Sequence, residues 1–139
     1  MKVKNYLYEV MDLRKSIKTT ALELEEARHL MTGLKAINYE KKEGASGGMN
    51  DKSPQEVYIS LVLELEKKML ELSTTYSIKL LVVGKWLSQM DPIKADIITK
   101  RYLLGKKWPE VAESIGYSES HMFRLNSEAL KELDEIADL

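Results

Sequence analysis

The sequence predicts an all-α protein: a long antiparallel helical hairpin, coiled-coil-like, followed by a three-helix unit with a helix-turn-helix. Three observations carry this expectation. Apolar residues recur in alternating steps of four and three along two long segments. The three prolines and most of the glycines gather at a few points, so the chain is punctuated only there. Beyond Asp91 the apolar pattern breaks into shorter helices separated by glycine stops.

The first helix is expected over 4–40. Tyr6, Val10, Leu13, Ile17, Thr20, Leu24, Ala27, Met31 and Leu34 form its seam, and all but Thr20 are apolar or aromatic. Glu9, Asp12, Arg14, Lys15, Lys18, Glu23, Glu25 and Glu26 surround it as a solvated face. A loop over 41–53 follows, rich in glycine and small polar residues from Gly44 to Ser53. No Gly-Lys-Ser/Thr follows those glycines, so a connector is expected and not a phosphate cradle.

Pro54 behind Ser53 starts the second helix, which runs to about Met90. Tyr58, Val62, Leu65, Met69, Leu72, Tyr76, Val83, Trp86 and Met90 continue the seam, with Lys79 as its one polar interruption. Val57, Ile59, Leu61, Leu63 and Leu65 also alternate as a strand would, but the heptad accounts for far more of the segment. At 1.5 Å per residue each helix is roughly 50 Å long, and equal lengths with a short loop imply an antiparallel pair. Val10, Leu13, Ile17, Leu24 and Met31, with Val62, Leu65, Met69, Leu72 and Tyr76, are thus the expected hairpin or oligomer core. A two-helix hairpin leaves Ile59, Leu61, Leu63, Leu70, Ile78, Leu80, Leu81, Val82 and Leu87 over. Each would forgo roughly 1.5–3 kcal/mol if it stayed in water. Leu80 to Leu87 are expected against the C-terminal unit, and the stretch nearer Val57 against a second copy, a dimer being the first choice.

A second domain is expected over 91–139. Asp91-Pro92 combines an N-cap with a first-turn proline, and the helix it opens reaches about Leu103 before Gly105 ends it. A short helix from Trp108 to Ile115 buries Val111, Ala112 and Ile115, and Gly116 closes it. Ser118 caps a third helix from Glu119 toward Ala137, with Met122, Leu125, Ala129, Leu130, Leu133 and Ile136 inside. Short helix, glycine turn and longer helix make a helix-turn-helix, with small Ala112 where the two helices cross.

Four groups of residues carry a family likeness: Arg101-Tyr102-Leu103-Leu104-Gly105, Trp108-Pro109-Glu110-Val111-Ala112, Gly116-Tyr117-Ser118 and Ala129-Leu130. Together they resemble the C-terminal, region-four DNA-binding part of bacterial sigma factors, over about 101–133. Hairpin, connector and C-terminal unit together are similar in layout to small sigma-like regulators of phages and prophages, of the ArpU and RinA late-gene activator type. The resemblance implies sequence-specific binding of double-stranded DNA and regulation of phage or prophage late genes, acting with RNA polymerase in the bacterial host cytoplasm.

In a helix-turn-helix the start of the second helix enters the major groove. That places Glu119, Ser120, Phe123 and Arg124 toward the bases, His121 beside them and Ser127 one turn on. An arginine can donate two hydrogen bonds to guanine, a glutamate can accept from cytosine, and a phenylalanine can touch a thymine methyl or be buried. Phe123 departs from the sigma pattern, which favours a polar or basic residue there. Lys100, Arg101, Lys106 and Lys107, with the capping Ser118, are the expected phosphate contacts.

Charge limits this reading. The chain carries a net −1, which excludes binding by bulk positive charge. Residues 91–139 hold seven cations against ten acids, so a lone copy is expected to bind weakly and with strong salt dependence. Cysteine is absent, which rules out disulfides and thiolate metal sites and fits the cytoplasm. No apolar run suits a membrane span, and the N-terminal stretch lacks signal-peptide features. His29 and His121 have no second ligand at a metal spacing, and no Ser/His/Asp grouping occurs, so neither metal, cofactor nor enzyme activity is expected. Two other functions stay open: a protein-interaction module whose helix-turn-helix is unused on DNA, and a DNA-packaging accessory subunit.

Overall fold

Every regular element among the described residues is helical. The computed structural model describes residues 2–40 and 53–137, the side chains of 34–40 excepted. The Leu34 side chain and the expected loop, apart from Ser53, lie outside the described residues. Helix α1 spans Lys2–Glu40 and α2 spans Pro54–Leu87. Helix α3 spans Pro92–Ile98 and continues into one π-helical turn, Thr99–Leu103; α4 is Trp108–Ile115 and α5 is Glu119–Ile136. None of the described helices is long and apolar enough to cross a membrane.

The helix starts follow from their capping residues. Ser53 Oγ accepts from the Glu56 backbone N–H at 3.2 Å, and Glu56 Oε2 accepts from that of Ser53 at 3.3 Å, a reciprocal capping box. Asp91 Oδ2 accepts from Ile93 N and Lys94 N. Gly105 and Gly116 both take positive φ, as the predicted helix stops require.

The chain divides into two compact units, Met1–Lys15 with Thr75–Leu139, and Ser16–Thr74. The division cuts both long helices and does not fall at residues 90 and 91. Its cause lies in the core of the first unit. There Val3, Leu7 and Val10 of α1 meet Val83, Trp86 and Met90, Ile98 and Tyr102, and Ala129, Leu130, Leu133 and Ala137. Leu80, Val82 and Leu87 pack at its edge, as expected of that stretch.

Two corrections to the expected seam come from the same core. Val3 and Leu7, which the heptad omitted, are fully buried, whereas Tyr6 and Leu13 keep partial exposure. The first turns of α1 have neighbours on two flanks here, α2 on one and α5 on the other, and the buried stripe rotates accordingly. Val3 N, one of the free amides of the helix start, donates to Asp134 Oδ1 of α5 at 3.3 Å. Lys79 does not interrupt the packing. Its ammonium pairs with Glu9 Oε2 at 2.9 Å and lies 4.1 Å from the centre of the Tyr6 ring, which in turn meets Trp86 at 5.0 Å. Glu9 with Lys79 and Tyr6 with Trp86 fix the helices as antiparallel.

The helix expected to run unbroken to Leu103 changes its winding at Thr99. Leu104 N donates to Thr99 O at 2.9 Å, five residues back, and the extra residue in that turn buries Tyr102. Arg14 Nη1 donates to Leu103 O at 2.9 Å, supplying a donor to a helix-end carbonyl.

The second unit is a two-helix segment. Leu24 and Ala27 of α1 pack on Val62 and Leu65 of α2, with Met31 at the edge. Ile17, Met69 and Leu72 lie on the expected seam but are only half-buried, because two helices cover one another on one side alone. Arg28 and Glu66 form an exposed ion pair at 2.9 Å, of a kind that contributes about 0–1 kcal/mol. Thr20 is 1% exposed and its hydroxyl has no hydrogen-bond partner.

That hydroxyl is desolvated without compensation, so Thr20→Val is expected to raise stability by about 1 kcal/mol in urea unfolding; a loss would show that the hydroxyl is satisfied in solution. A second expectation concerns Lys94 of α3, whose ammonium pairs with Glu132 and, at 3.4 Å, with Glu128 of α5. The hydrogen bond it donates to Glu132 raises its pKa above the ordinary 10.5, against the opposing pull of burial, and Glu128 adds to the rise. A raised folded-state pKa stabilises fully below 10.5 and the gain is lost as pH climbs through the folded value. Wild type should therefore melt above Lys94→Met near neutral pH, with the gap closing above about pH 10.5; a gap that persists at high pH would rule the ion pairs out as its source.

Candidate nucleic-acid interface

The site is built by α4, α5 and the turn between them. Pro109 stands in the first turn of α4, and Gly116 at its end has φ +75. Gly116 N donates to Ala112 O at 3.0 Å and Tyr117 N to the same oxygen at 3.2 Å, closing α4 tightly. Ser118 then caps α5, its Oγ accepting from His121 N at 3.2 Å. Ile97, Val111, Ala112 and Met122 form a small core under this turn, with Trp108, Ile115 and Leu125 against it. Ala112 is buried where α4 meets α5, as its size predicts.

This core turns one face of α5 outward. Glu119, Ser120, Phe123, Arg124 and Ser127 are exposed. Ser118, Ser120, His121 and Arg124 line a shallow surface depression of about 290 Å³. His121 is half-buried and stacks on Tyr117 at 4.5 Å with the rings 10° from parallel. Phe123 divides between the two expectations: it is 41% exposed, yet its ring leans on Trp108 at 5.1 Å. Among the described residues no carboxylate lies within ion-pair distance of Arg124. Glu119 also sits in the first turn of α5, where a carboxylate favours the helix dipole with or without a ligand.

The four expected phosphate contacts separate into two pairs. Lys106 and Lys107 are exposed, and neither has a carboxylate within ion-pair distance among the described residues. Lys100 pairs with Asp96 at 2.8 Å, one turn back on the same helix. Arg101 is half-buried, donates from Nη1 to Lys106 O at 3.0 Å and lays its guanidinium 4.6 Å from the Trp108 ring centre. Arg101 therefore holds the segment that carries Lys106 and Lys107, and its charge faces protein groups.

The acidic excess of this region has a structural use. Glu128 and Glu132 hold Lys94, and Asp134 holds Val3 N, so three late carboxylates tie α5 to α3 and α1. They sit on later turns of α5 than Ser120 and Arg124. Sequence reasoning missed Asn126, which is buried on the inner face of α5 beside Tyr102 and whose Oδ1 has no hydrogen-bond partner. Burial pushes the Tyr102 phenol above its usual pKa and the Asn126 contact partly opposes that rise. The available signal was its spacing, four residues from both Met122 and Leu130. Among the described residues no cluster of His, Asp and Glu could hold a metal ion.

Arg101→Ala is expected to cost about 1–2 kcal/mol of stability, from a lost charged hydrogen bond and a lost cation–aromatic contact. Lys106→Ala and Lys107→Ala should leave the unfolding curve in place; equal effects from all three would contradict the division. No protein-family model, curated protein or solved structure matches the chain.

Proposed function

We propose that the protein is a sequence-specific, double-stranded DNA-binding transcription regulator, with α5 as its reading helix and no catalytic role. One observation supports this best: the first three turns of α5 present Ser120, Arg124 and Ser127 to solvent, and Arg124 is held by no carboxylate among the described residues. A long cation free of partners at the front of a helix-turn-helix can donate a bidentate pair to guanine. Lys106 and Lys107 supply phosphate contacts from the segment ahead of α4, and Ser118 adds one at the helix start. Lys100 and Arg101 are assigned to the fold more than to DNA, since each already has a protein partner. With few positive contacts, affinity rests on two copies acting together or on delivery by RNA polymerase. The resemblance to phage sigma-like activators supports late-gene regulation in a bacterial cytoplasm as the setting.

Selection of bound sites from random duplexes, with and without polymerase, tests the reading. An enriched motif is expected. Arg124→Ala should relax preference at one base pair by about 1–3 kcal/mol while its circular dichroism stays that of wild type. Lys106→Ala should weaken all sequences alike and lower the salt dependence by about one counterion. Absence of any motif in both arms would sink the reading.

A further inference from the structure

Helix α2 carries a second apolar stripe that the hairpin does not use. Ile59, Leu63, Leu70 and Leu81 are all exposed, Leu70 the most telling at 68%. At 3.6 residues per turn these four fall within about 40° of one another and about 120° around the helix from the seam of Val62, Leu65 and Val83. Ile78, also exposed, flanks them. Since α2 is unbroken from Pro54 to Leu87, the stripe follows from helix phase alone.

The stripe is complementary to itself when reversed. Two α2 helices laid antiparallel, with a two-fold axis at Leu70, bring Leu70 against the partner's Leu70. The same register sets Ile59 across from the partner's Leu81 and Leu63 across from the partner's Ser77, with Ile78 on the flank beside it. It also aligns charge. Glu56 is the acidic residue of the first turn of α2 and Lys85 the basic residue of its last. Both lie on the same flank of the stripe, and the two-fold axis places each Glu56 beside the partner's Lys85. The capping box uses Glu56 Oε2, which leaves Oε1 to accept from a lysine. Lys85 is exposed and has no carboxylate within ion-pair distance among the described residues. Antiparallel helix dipoles favour the same arrangement.

We propose that the occupant of this face is a second copy of the chain, docked through α2 in an antiparallel, two-fold symmetric dimer centred on Leu70. A two-fold interface requires one patch to be complementary to itself, and Leu70 on Leu70, Ile59 on Leu81 and Glu56 beside Lys85 meet that condition in a single register. The proposal deepens the two-copy element of the function above. It rests on no DNA contact and is tested without DNA, so its failure leaves the site-selection experiment to judge the DNA reading.

Sedimentation equilibrium of the full chain at micromolar concentration is expected to give twice the 15.9 kDa chain mass. Leu70→Glu sets two like charges at the axis and should yield monomers with unchanged helical circular dichroism. The chain has no cysteine of its own, so Leu70→Cys should link copies through a single disulfide under mild oxidation, whereas Leu22→Cys on α1 should not. Lys85→Glu should weaken the dimer about tenfold, and adding Glu56→Lys should restore it. A monomeric wild type, a dimer that survives Leu70→Glu, or one that links through Cys at 22 in place of 70 overturns the proposal.

Discussion

The first turns of α1 lie against the far end of the chain, and much else follows from that placement. Val3 and Leu7 are buried because Leu130, Leu133 and Ala137 of α5 share their core together with Trp86 and Met90. The amide of Val3 binds Asp134, so the contact is polar as well as apolar. A helix-turn-helix of this size owns only a small core of Ile97, Val111, Ala112 and Met122. The larger cluster built on α1 and the end of α2 supplies what four buried residues cannot, since small units bury too little surface to offset chain entropy. The C-terminal helices are thus half of a joint structure. The apparent cost, a negative C-terminal region, is the means of assembly: Glu128, Glu132 and Asp134 serve as ties to Lys94 and Val3.

The same ties order the proposed reading surface. Trp108 stands between two roles, touching the Arg101 guanidinium, the edge of Tyr102 at 6.2 Å and the Phe123 ring. Tyr102 is buried beside Asn126 on the inner face of α5. Phe123 and Asn126 therefore hold α5 from two sides, and the turn that lies between them presents Arg124 outward. In the proposed function this matters because a guanidinium must arrive in the groove with its helix already oriented; a helix free to rotate would lose much of the discrimination to entropy. Phe123, the departure from the sigma pattern, has its account here as a brace on Trp108 with part of its ring left in water.

Local chemistry was readable from the sequence, and multi-body packing was not. Asp91 and Ser118 cap as expected, and Ser53 ahead of Pro54 does the same, because capping depends on one side chain and the next three amides. Gly105 and Gly116 stop helices because a positive φ is a property of a single residue. Val10, Leu24, Val62, Leu65, Val83 and Trp86 are buried on the seam because a four-three period states which face two helices share. Val3 and Leu7 escaped because a third neighbour sets their burial, and no period within α1 records it. No period records the π turn at Thr99 either, and the two units divide within the long helices and not at residue 90, where composition places a boundary. Arg101 and Lys100 read as phosphate ligands on charge alone, yet their partners Lys106 O, Trp108 and Asp96 are visible only once the chain is folded.

Segment Ser16–Thr74 poses the remaining physical question. Its core consists of Leu24, Ala27, Val62 and Leu65 with Met31 at the rim, while Leu22, Ile59, Leu63 and Leu70 stand in water. Fixing one residue's backbone costs about 1–2 kcal/mol, so the few buried aliphatics among the described residues leave these long helices little margin. Helix propagation from the larger core widens that margin, since extending an existing helix avoids the cost of nucleation. It does not explain why so many aliphatics lie outside the seam, where polar residues would have served solubility better. A stripe at regular helical spacing, bounded by acid at one end and base at the other, is what a helix needs to find itself reversed. In the proposed dimer that stripe meets its copy, while the seam of α1 and α2, with Thr20 buried on it, stays within each hairpin.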